Sequence, residues 1–154
     1  MIEYLELKIP PPVVALLAGT LMWLISRLAG FAAFAVPGQT AVAVCLAATG
    51  LVAGLVGIFS FHRARTTHNP LTPAATTTLV VIGIFRYSRN PMYLGLLLVL
   101  LAWATFLGNV LAFALVPMVA LYLTRFQIAP EERALARKFG PQFAAYRDKV
   151  GRWL

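Results

Sequence analysis

A ten-residue segment between two long apolar runs carries most of the side chains that could do chemistry. Residues 86–95 read Arg-Tyr-Ser-Arg-Asn-Pro-Met-Tyr-Leu-Gly, so arginine, tyrosine and asparagine side chains crowd together just before an apolar stretch. Polar groups at the edge of a membrane span are costly to bury unless they bind a partner. The segment therefore predicts a binding site at a membrane boundary.

A second candidate group consists of Glu131 and Glu132, which follow the last apolar run. Pro130 precedes them, and proline suits the first turn of a helix. Both carboxylates are therefore expected in a first helical turn, where the helix dipole favours anions. Gly140 and Pro141 are expected to end this helix and begin another. An ordinary helix N-terminus without a ligand is the alternative interpretation of the two glutamates.

The composition indicates a membrane protein. Hydrophobic residues make up 60% of the 154 residues, charged residues only 12%, and the mean hydropathy is +0.81. A soluble domain usually carries about twice that share of charge. The length suits one domain, residues 1–154. The net charge of +8 flanks the apolar runs, which favours contact with anionic lipid and argues against nucleic acid.

Four apolar runs predict four transmembrane helices, at about residues 13–34, 40–61, 92–107 and 110–124. The last two runs together are too long for one helix across a hydrocarbon core of about 30 Å. Gly108 and Asn109 are therefore expected to turn them into a hairpin, and Pro117 is expected to kink the second arm. Gly50 and Gly54 lie one turn apart in the second run, which predicts close helix packing.

The distribution of charge predicts the topology. Loop 62–91 and tail 125–154 hold 11 of the 13 lysines and arginines, whereas the turn at residues 108–109 holds none. Loop, tail and both termini are therefore expected on the cytoplasmic side. The polar segments 66–95 and 125–154 should then face each other at one interface. The apolar stripe of the tail predicts an amphipathic segment on the membrane surface.

The first apolar run has a competing interpretation as a cleavable signal peptide. Glu3 and Glu6 lie in its leader, and the run is too long for the apolar core of such a peptide. A true span is therefore the better prediction.

Several kinds of site find no support in the residues. Cys45 is the lone cysteine, and His62 and His68 have no carboxylate or cysteine at ligand spacing, so no metal site is expected. No glycine-rich phosphate loop and no serine–histidine–aspartate arrangement is present either.

From about Thr66 to the C-terminus, the chain resembles the isoprenylcysteine carboxyl methyltransferase and phospholipid methyltransferase family of integral membrane enzymes, in its bacterial type. Residues 86–95, Glu131 with Glu132, and the tail 139–153 carry this resemblance. It implies an all-α polytopic membrane protein with about four transmembrane helices, a cytoplasmic loop and a C-terminal amphipathic helical segment. It also implies S-adenosylmethionine as cofactor, with S-adenosylhomocysteine as product. The cofactor-binding residues that it implies are Thr78, Leu79, Val80, Phe85, Arg89, Asn90, Pro91, Tyr93, Gly95 and Glu131.

The resemblance implies physical roles for these residues. Arg89 would pair with the methionyl carboxylate of the cofactor, and Asn90 would hydrogen-bond to it. Gly95 would allow a close approach of the backbone. Glu131 or Glu132 would meet the cofactor amino group or ribose. Because methyl transfer is an in-line displacement, positioning can do much of the work.

Arg125 and Glu132 are the residues expected to act in catalysis. Gln127 stands about where the prenylcysteine members carry a substrate-binding arginine, and Arg125 is close by. If the acceptor is an amine, Glu132 or a water molecule would accept its proton. Asn90 replaces the histidine of the prenylcysteine members and is more similar to the phospholipid and bacterial ones.

The acceptor is expected to be lipophilic: an isoprenoid-linked carboxylate or thiol, or a phospholipid amine. A bacterial inner membrane is the expected location. Without the resemblance, Arg86 and Arg89 would be anchors on the positive side of a span, and Tyr87, Tyr93 and Trp153 would be interfacial aromatics. A membrane reductase of the sterol type and a non-enzymatic small membrane protein are the alternative functions, and cofactor preference separates them.

Overall fold

The computed structural model describes residues 6–64 and 77–154, and the described residues form helices joined by short turns. Residues 65–76 lie outside them, and so does the corresponding part of the predicted polar loop and of segment 66–95. No β-strand occurs among the described residues, so the prediction of an all-α protein is confirmed. The α-helices are α1 Pro11–Leu28, α2 Gln39–Arg63, α3 Pro91–Leu107, α4 Val110–Phe113, α5 Leu115–Leu123, α6 Ala129–Phe139 and α7 Pro141–Lys149.

Three helices of the described chain are long and apolar enough to cross a membrane, which makes this an integral membrane protein. They are α1, α2 and the helix Val110–Phe139, which contains α4, α5 and α6. The fourth predicted span is α3, which is apolar but has only 17 residues. At 1.5 Å per residue it is about 25 Å long, somewhat less than a hydrocarbon core of about 30 Å.

The first span is shorter than predicted. It ends at Leu28, and residues Gly30–Ala32 form a separate 3₁₀ turn. The prediction extended this span to Phe34 because the apolar run continues that far. Ala29, with φ −107° and ψ 57°, is the first residue outside the helical conformation.

Gly108 and Asn109 form the expected hairpin turn, at what we call the turn end of the bundle. Gly108 ends α3 with a left-handed φ of +59°. The buried side chain of Asn109 accepts a hydrogen bond from the Leu111 N–H (3.0 Å) and donates one to the Ala29 carbonyl (2.8 Å). This one amide caps α4 and ties the turn to the end of α1.

Glycines bring α2 and α3 into close contact. A Cβ atom on Gly50 would lie 2.6 Å from the Gly95 carbonyl oxygen, and one on Gly95 would lie 2.5 Å from the Gly50 carbonyl oxygen. Each backbone therefore occupies the space that a side chain would need on the other helix. The packing role predicted for the glycines of α2 is confirmed, and it extends to Gly95.

The helix that begins at Val110 continues farther than predicted. A single π-helical segment, Thr124–Ile128, joins α5 to α6, so the helix does not stop at residue 124 and restart at Pro130. A proline inside a helix leaves the carbonyl four residues earlier without its donor. The carbonyl of Phe126 accepts instead from the N–H of Leu7, at 3.0 Å.

Pro117 lies just after another irregularity in the same helix. α4 ends at Phe113, and α5 begins two residues later, at Leu115. Pro117 has no N–H to donate to the Phe113 carbonyl, which explains an interruption at the position where a kink was expected.

The C-terminal segment folds back onto the bundle. Gly140, with φ +48°, separates α6 from α7, as expected. The side chain of Phe143 is only 3% exposed, and Trp153 packs against the main hydrophobic core. These aromatic residues were expected to lie on the membrane surface. They pack against the protein, and Tyr146 of the same segment donates to the Phe85 carbonyl. The position of the segment on the membrane surface stays a prediction.

Candidate functional site

The predicted polar groups meet at the end of the bundle opposite the turn end, which we call the site end. Arg89 and Asn90 precede α3, and Tyr93 lies in its first turn. Glu131 and Glu132 lie in the first turn of α6. Hydrogen bonds between these groups, described below, show that the two polar segments face each other as predicted.

Arg89 is the most heavily bonded side chain of the site. Its guanidinium donates to Oε1 of Glu132 from Nε (3.2 Å) and from Nη2 (2.7 Å). Nη1 donates to the carbonyl of Arg147 (3.2 Å) and, through a short hydrogen bond, to that of Val150. The Arg89 N–H also donates to the Gly151 carbonyl, at 3.1 Å. Arg89 therefore joins the start of α3, α6 and the C-terminal segment.

Glu132 lies between two arginines, and we call this set the Arg89–Glu132–Arg152 group. Arg152 donates to Oε2 of Glu132 from Nη2 (2.6 Å) and to Oε1 from Nε (3.2 Å). The hydrogen bonds with Glu132 raise the pKa of Arg152 above its ordinary value. Two guanidinium groups and one carboxylate leave this group with a net charge of +1.

Glu131 has a different environment from its neighbour. Its Oε1 accepts a hydrogen bond from the hydroxyl of Tyr93 at 2.5 Å, and Tyr93 is only 6% exposed. Within residues 6–64 and 77–154, the ion pairs of the glutamates are made by Glu6 and Glu132, and Glu131 makes none. A partly buried carboxylate held by a neutral hydroxyl can receive a cationic ligand.

Asn90 and Ser88 hold the loop before α3 in place. Nδ2 of Asn90 donates to the Arg152 carbonyl at 2.9 Å, and the buried hydroxyl of Ser88 accepts from the Asn90 N–H at 3.1 Å. The sequence did not single out Ser88 or Arg152 as site residues. Ser88 lies inside the polar segment, but Arg152 was indistinguishable from the other basic residues of the tail.

Tyr146 docks α7 on the loop before α3. Its hydroxyl donates to the Phe85 carbonyl at 2.7 Å, and the Phe85 ring meets the ring of Phe61 edge to face, with centroids 5.2 Å apart. Burial raises the pKa of Tyr146 to about 12, although the nearby charge of Arg89 acts in the opposite direction. The hydroxyl is therefore a stable donor at neutral pH.

The remaining residues of the implied cofactor site have varied surroundings. Val80, Phe85 and Pro91 are buried, Leu79 is half-buried and Thr78 is exposed. Gly95 lies one turn into α3, and the close approach of its backbone is to α2. That packing explains the glycine without a ligand, so its contact with a cofactor stays a prediction.

The two residues expected to act in catalysis have separate partners. Nη1 of Arg125 donates to Oε1 of Glu6 at 2.7 Å, and Arg133 donates to the other oxygen of the same carboxylate. Glu132 belongs instead to the Arg89–Glu132–Arg152 group. The neighbouring Gln127 is fully buried and donates to the Ile9 carbonyl at 2.7 Å. Arg125 therefore contributes to a second polar cluster, which holds the N-terminal segment.

Burial separates the predicted site residues from interfacial anchors. The side chain of Arg89 is 9% exposed, whereas Arg86 is exposed; Tyr93 is buried, whereas Tyr87 is 75% exposed. Arg86 and Tyr87 therefore fit the role of interfacial anchors, and Arg89 and Tyr93 do not.

Comparisons with known proteins agree with this arrangement. A family model described as phospholipid methyltransferase matches residues 38–142, about two thirds of the chain. A protein of Haemophilus influenzae, described as uncharacterized, is 52% identical over 63 residues, which are 41% of this chain and all of that protein. No solved structure matches the chain. The matched segment includes α2, α3, Arg89, Tyr93 and both glutamates of α6.

Proposed function

The chain belongs to the phospholipid methyltransferase family, and from that premise we propose a specific reaction. The methyl group would pass from the sulfonium of S-adenosylmethionine to the amine of a phospholipid headgroup at the site end of the bundle, leaving S-adenosylhomocysteine, and the amine proton would pass to water. The family supports methyl transfer at a membrane. The residues at the N-terminal ends of α3 and α6 support the choice of cofactor.

The observation that carries the proposal is the contrast between the two glutamates. Glu132 is neutralised by two arginines, whereas Glu131 is held by the Tyr93 hydroxyl and has no cationic partner among the described residues. S-adenosylmethionine carries a sulfonium and an ammonium, and a carboxylate in this environment suits either of them. Glu131 is therefore the proposed contact for the cationic part of the cofactor.

The Arg89–Glu132–Arg152 group suits the other end of the same cofactor. Its net charge of +1 favours an incoming carboxylate. Arg89 would contribute this charge while Glu132 and the carbonyls of Arg147 and Val150 hold its guanidinium in place. Asn90 lies beside it and is the proposed hydrogen-bonding partner. The site thus offers a cationic group next to a carboxylate that makes no ion pair among the described residues, and this arrangement suits a zwitterion.

When bound, S-adenosylmethionine supplies an activated methyl group. The protein would supply orientation: Tyr93 fixes one oxygen of Glu131. The buried Phe85 and Val80 are proposed apolar contacts of the cofactor. We assign Glu132 a positioning role in place of the catalytic role expected for it. Because its carboxylate is shared by two arginines, it is a poor proton acceptor and a good clamp for Arg89.

The acceptor and the orientation are part of the proposal. Apolar helices lead directly to the site, so a lipid acceptor can reach it from the side, and Arg125 would meet an anionic group of that lipid. Most lysines and arginines belong to the two segments at the site end, which supports a cytoplasmic orientation of the site, and a bacterial inner membrane is its proposed location. A phospholipid amine is favoured over isoprenoid-linked carboxylates and thiols by the family description and by Asn90.

Calorimetric titration of S-adenosylmethionine into the detergent-purified protein tests the proposal. Saturable binding is expected for the wild type, and Glu131→Gln should weaken it at least about tenfold by removing the charge that meets the cation. Arg89→Ala should weaken it as well, while Arg86→Ala, in the same loop but exposed, should not.

Controls separate lost binding from lost folding. Each variant is compared with the wild type by its elution volume and thermal unfolding, because Arg89 also joins three parts of the fold. A folded wild type that binds no S-adenosylmethionine would overturn the proposal. Binding of a nicotinamide dinucleotide instead would favour the reductase alternative. Incubation with labelled cofactor and phosphatidylethanolamine, or an isoprenoid-linked acid, then identifies the acceptor.

A further inference from the structure

An apolar groove runs along the bundle between α1 and α2, and α3 forms its floor. Its volume is about 700 Å³, within the range of sites that bind small organic molecules. Side chains on α3 line it from Leu96 to Phe106, a distance of about 15 Å along the helix axis. It is therefore long and narrow.

The groove exists because the two helices beside it scarcely touch each other. Both α1 and α2 pack on α3, and small residues face the space between them: Gly19 on α1, and Ala43 and Ala47 on α2. Trp103 of α3 spans the floor, and its Nε1 donates to the Gly19 carbonyl at 3.0 Å. This hydrogen bond fixes the indole as part of the groove.

The position of the groove determines what kind of molecule fits it. Both helices beside it meet the length and hydropathy requirements of membrane spans, so we expect the groove to lie in the hydrocarbon core of the bilayer. Its lining is almost wholly apolar, and the Trp103 N–H is bonded within the protein. A polar ligand would lose its hydrogen bonds there, whereas an aliphatic chain would lose none.

Along α3, the groove begins one helical turn from the candidate site. Ala15 and Leu96 line it at the site end, and both also pack against the core cluster that contains Tyr93. Leu96 lies one helical turn from Tyr93 on α3, and Tyr93 holds Glu131. A chain lying in the groove would therefore bring the headgroup attached to it toward the two glutamates.

We propose that this groove binds one aliphatic chain of the lipid acceptor and so orients its headgroup at the site end. The inference rests on the proposed function for the identity of the acceptor, but the binding itself needs no methyl transfer. A lipid chain is surrounded by hydrocarbon both in the bilayer and in the groove, so its binding gains nothing from transfer out of water. The groove would act through its shape and its nearness to the site.

Photo-crosslinking in nanodiscs tests the proposal. The probe is phosphatidylethanolamine with a diazirine on its palmitoyl chain, added to the full-length protein without cofactor. Cross-links should concentrate on the α3 stretch from Leu96 to Phe106 and on Gly19–Trp23, and excess unlabelled dipalmitoyl phosphatidylethanolamine should compete them away. Ala47→Trp should lower this labelling at least about fivefold, because an indole fills the space of the chain.

Two further variants make the result decisive. Ala48→Trp is the matched control, since residue 48 is exposed and does not line the groove; its labelling should equal that of the wild type. Gly19→Leu fills the groove from the opposite wall and should act like Ala47→Trp. Uniform, non-saturable labelling of all lipid-facing helices, or equal labelling in Ala47→Trp and Ala48→Trp, would overturn the proposal.

The outcome is independent of the calorimetry. Failure to bind S-adenosylmethionine would overturn the proposed function. The cross-linking result would still show whether the groove binds a lipid chain, because that experiment contains no cofactor. If both hold, Ala47→Trp should lose transfer to dipalmitoyl phosphatidylethanolamine while its affinity for S-adenosylmethionine stays within about twofold of the wild type.

Discussion

The hydroxyl of Tyr93 donates a hydrogen bond to Glu131, a residue 38 positions away on another helix. The next residue, Glu132, bonds two arginines instead. Two adjacent carboxylates therefore have different electrostatic surroundings, because Glu131 meets a neutral hydroxyl of α3, whereas Glu132 meets one cation before α3 and another in the C-terminal segment. This difference divides their expected roles into ligand contact and structural clamp.

Removing the hydroxyl of Tyr93 tests the first role. Tyr93→Phe deletes the donor that orients Glu131 and should destabilise the fold by about 1–2 kcal/mol. The affinity for S-adenosylmethionine should also fall, by about tenfold. Thermal unfolding and calorimetry measure the two effects. Tyr87→Phe, at an exposed position, should change neither, and equal effects of the two substitutions would contradict the assignment.

Neutralising Glu132 tests the second role. Glu132→Gln leaves Arg89 and Arg152 as two cations without their shared carboxylate, and should cost about 2–4 kcal/mol. The C-terminal segment should detach first, so hydrogen exchange of residues 147–154 should accelerate. Asp148→Asn serves as the control because that carboxylate is 72% exposed. Unchanged exchange in Glu132→Gln would show that the clamp is unimportant.

The contact between α2 and α3 predicts a large difference between two glycines. Gly95→Ala places a methyl group 2.5 Å from a backbone oxygen of α2 and should destabilise the protein by about 1–3 kcal/mol or more. A Cβ on Gly54 meets nothing within 4 Å, so Gly54→Ala should be neutral within about 0.5 kcal/mol. Thermal unfolding of the two variants in one detergent provides the comparison.

Tyr146 makes the docking of α7 sensitive to alkaline pH. Its pKa is raised from 10.0 to about 12 in the folded protein, so the folded state favours the neutral hydroxyl. The stabilisation is complete below pH 10 and is lost as the pH rises through about 12, because only the unfolded state releases the proton in that range. Tyr146→Phe should reduce the loss of stability between these two pH values. Identical pH profiles of unfolding would refute this prediction.

The cluster around Glu6 predicts that Arg125 acts apart from the cofactor. Both arginines that pair with Glu6 are about half exposed, so Glu6→Gln should cost less than about 1 kcal/mol. Arg125→Ala should leave the affinity for S-adenosylmethionine unchanged and raise the KM for the lipid acceptor. Arg137→Ala, on the exposed side of α6, is the control. A loss of cofactor affinity in Arg125→Ala would place Arg125 in the cofactor site instead.

Much of the architecture could be predicted from local patterns. The apolar runs predicted the helices, Gly108 and Asn109 predicted the hairpin turn, and Gly140 predicted the break in the tail. Each of these features depends on residues close together in the chain: hydropathy over a helical length, or the backbone freedom of one glycine. The alternation of spans then required the two polar segments to share one end.

The choice of partners depended on the tertiary structure. Residue type and position beside a span do not distinguish Arg86 from Arg89, which the family resemblance alone singled out; in the structure, Arg89 of these two meets Glu132, 43 positions later. The helix continues through Pro130 because the distant Leu7 N–H satisfies the carbonyl that the proline leaves free. Local pattern specifies where a helix forms, whereas the partner of a buried charge or carbonyl is whichever group packing brings within about 3 Å.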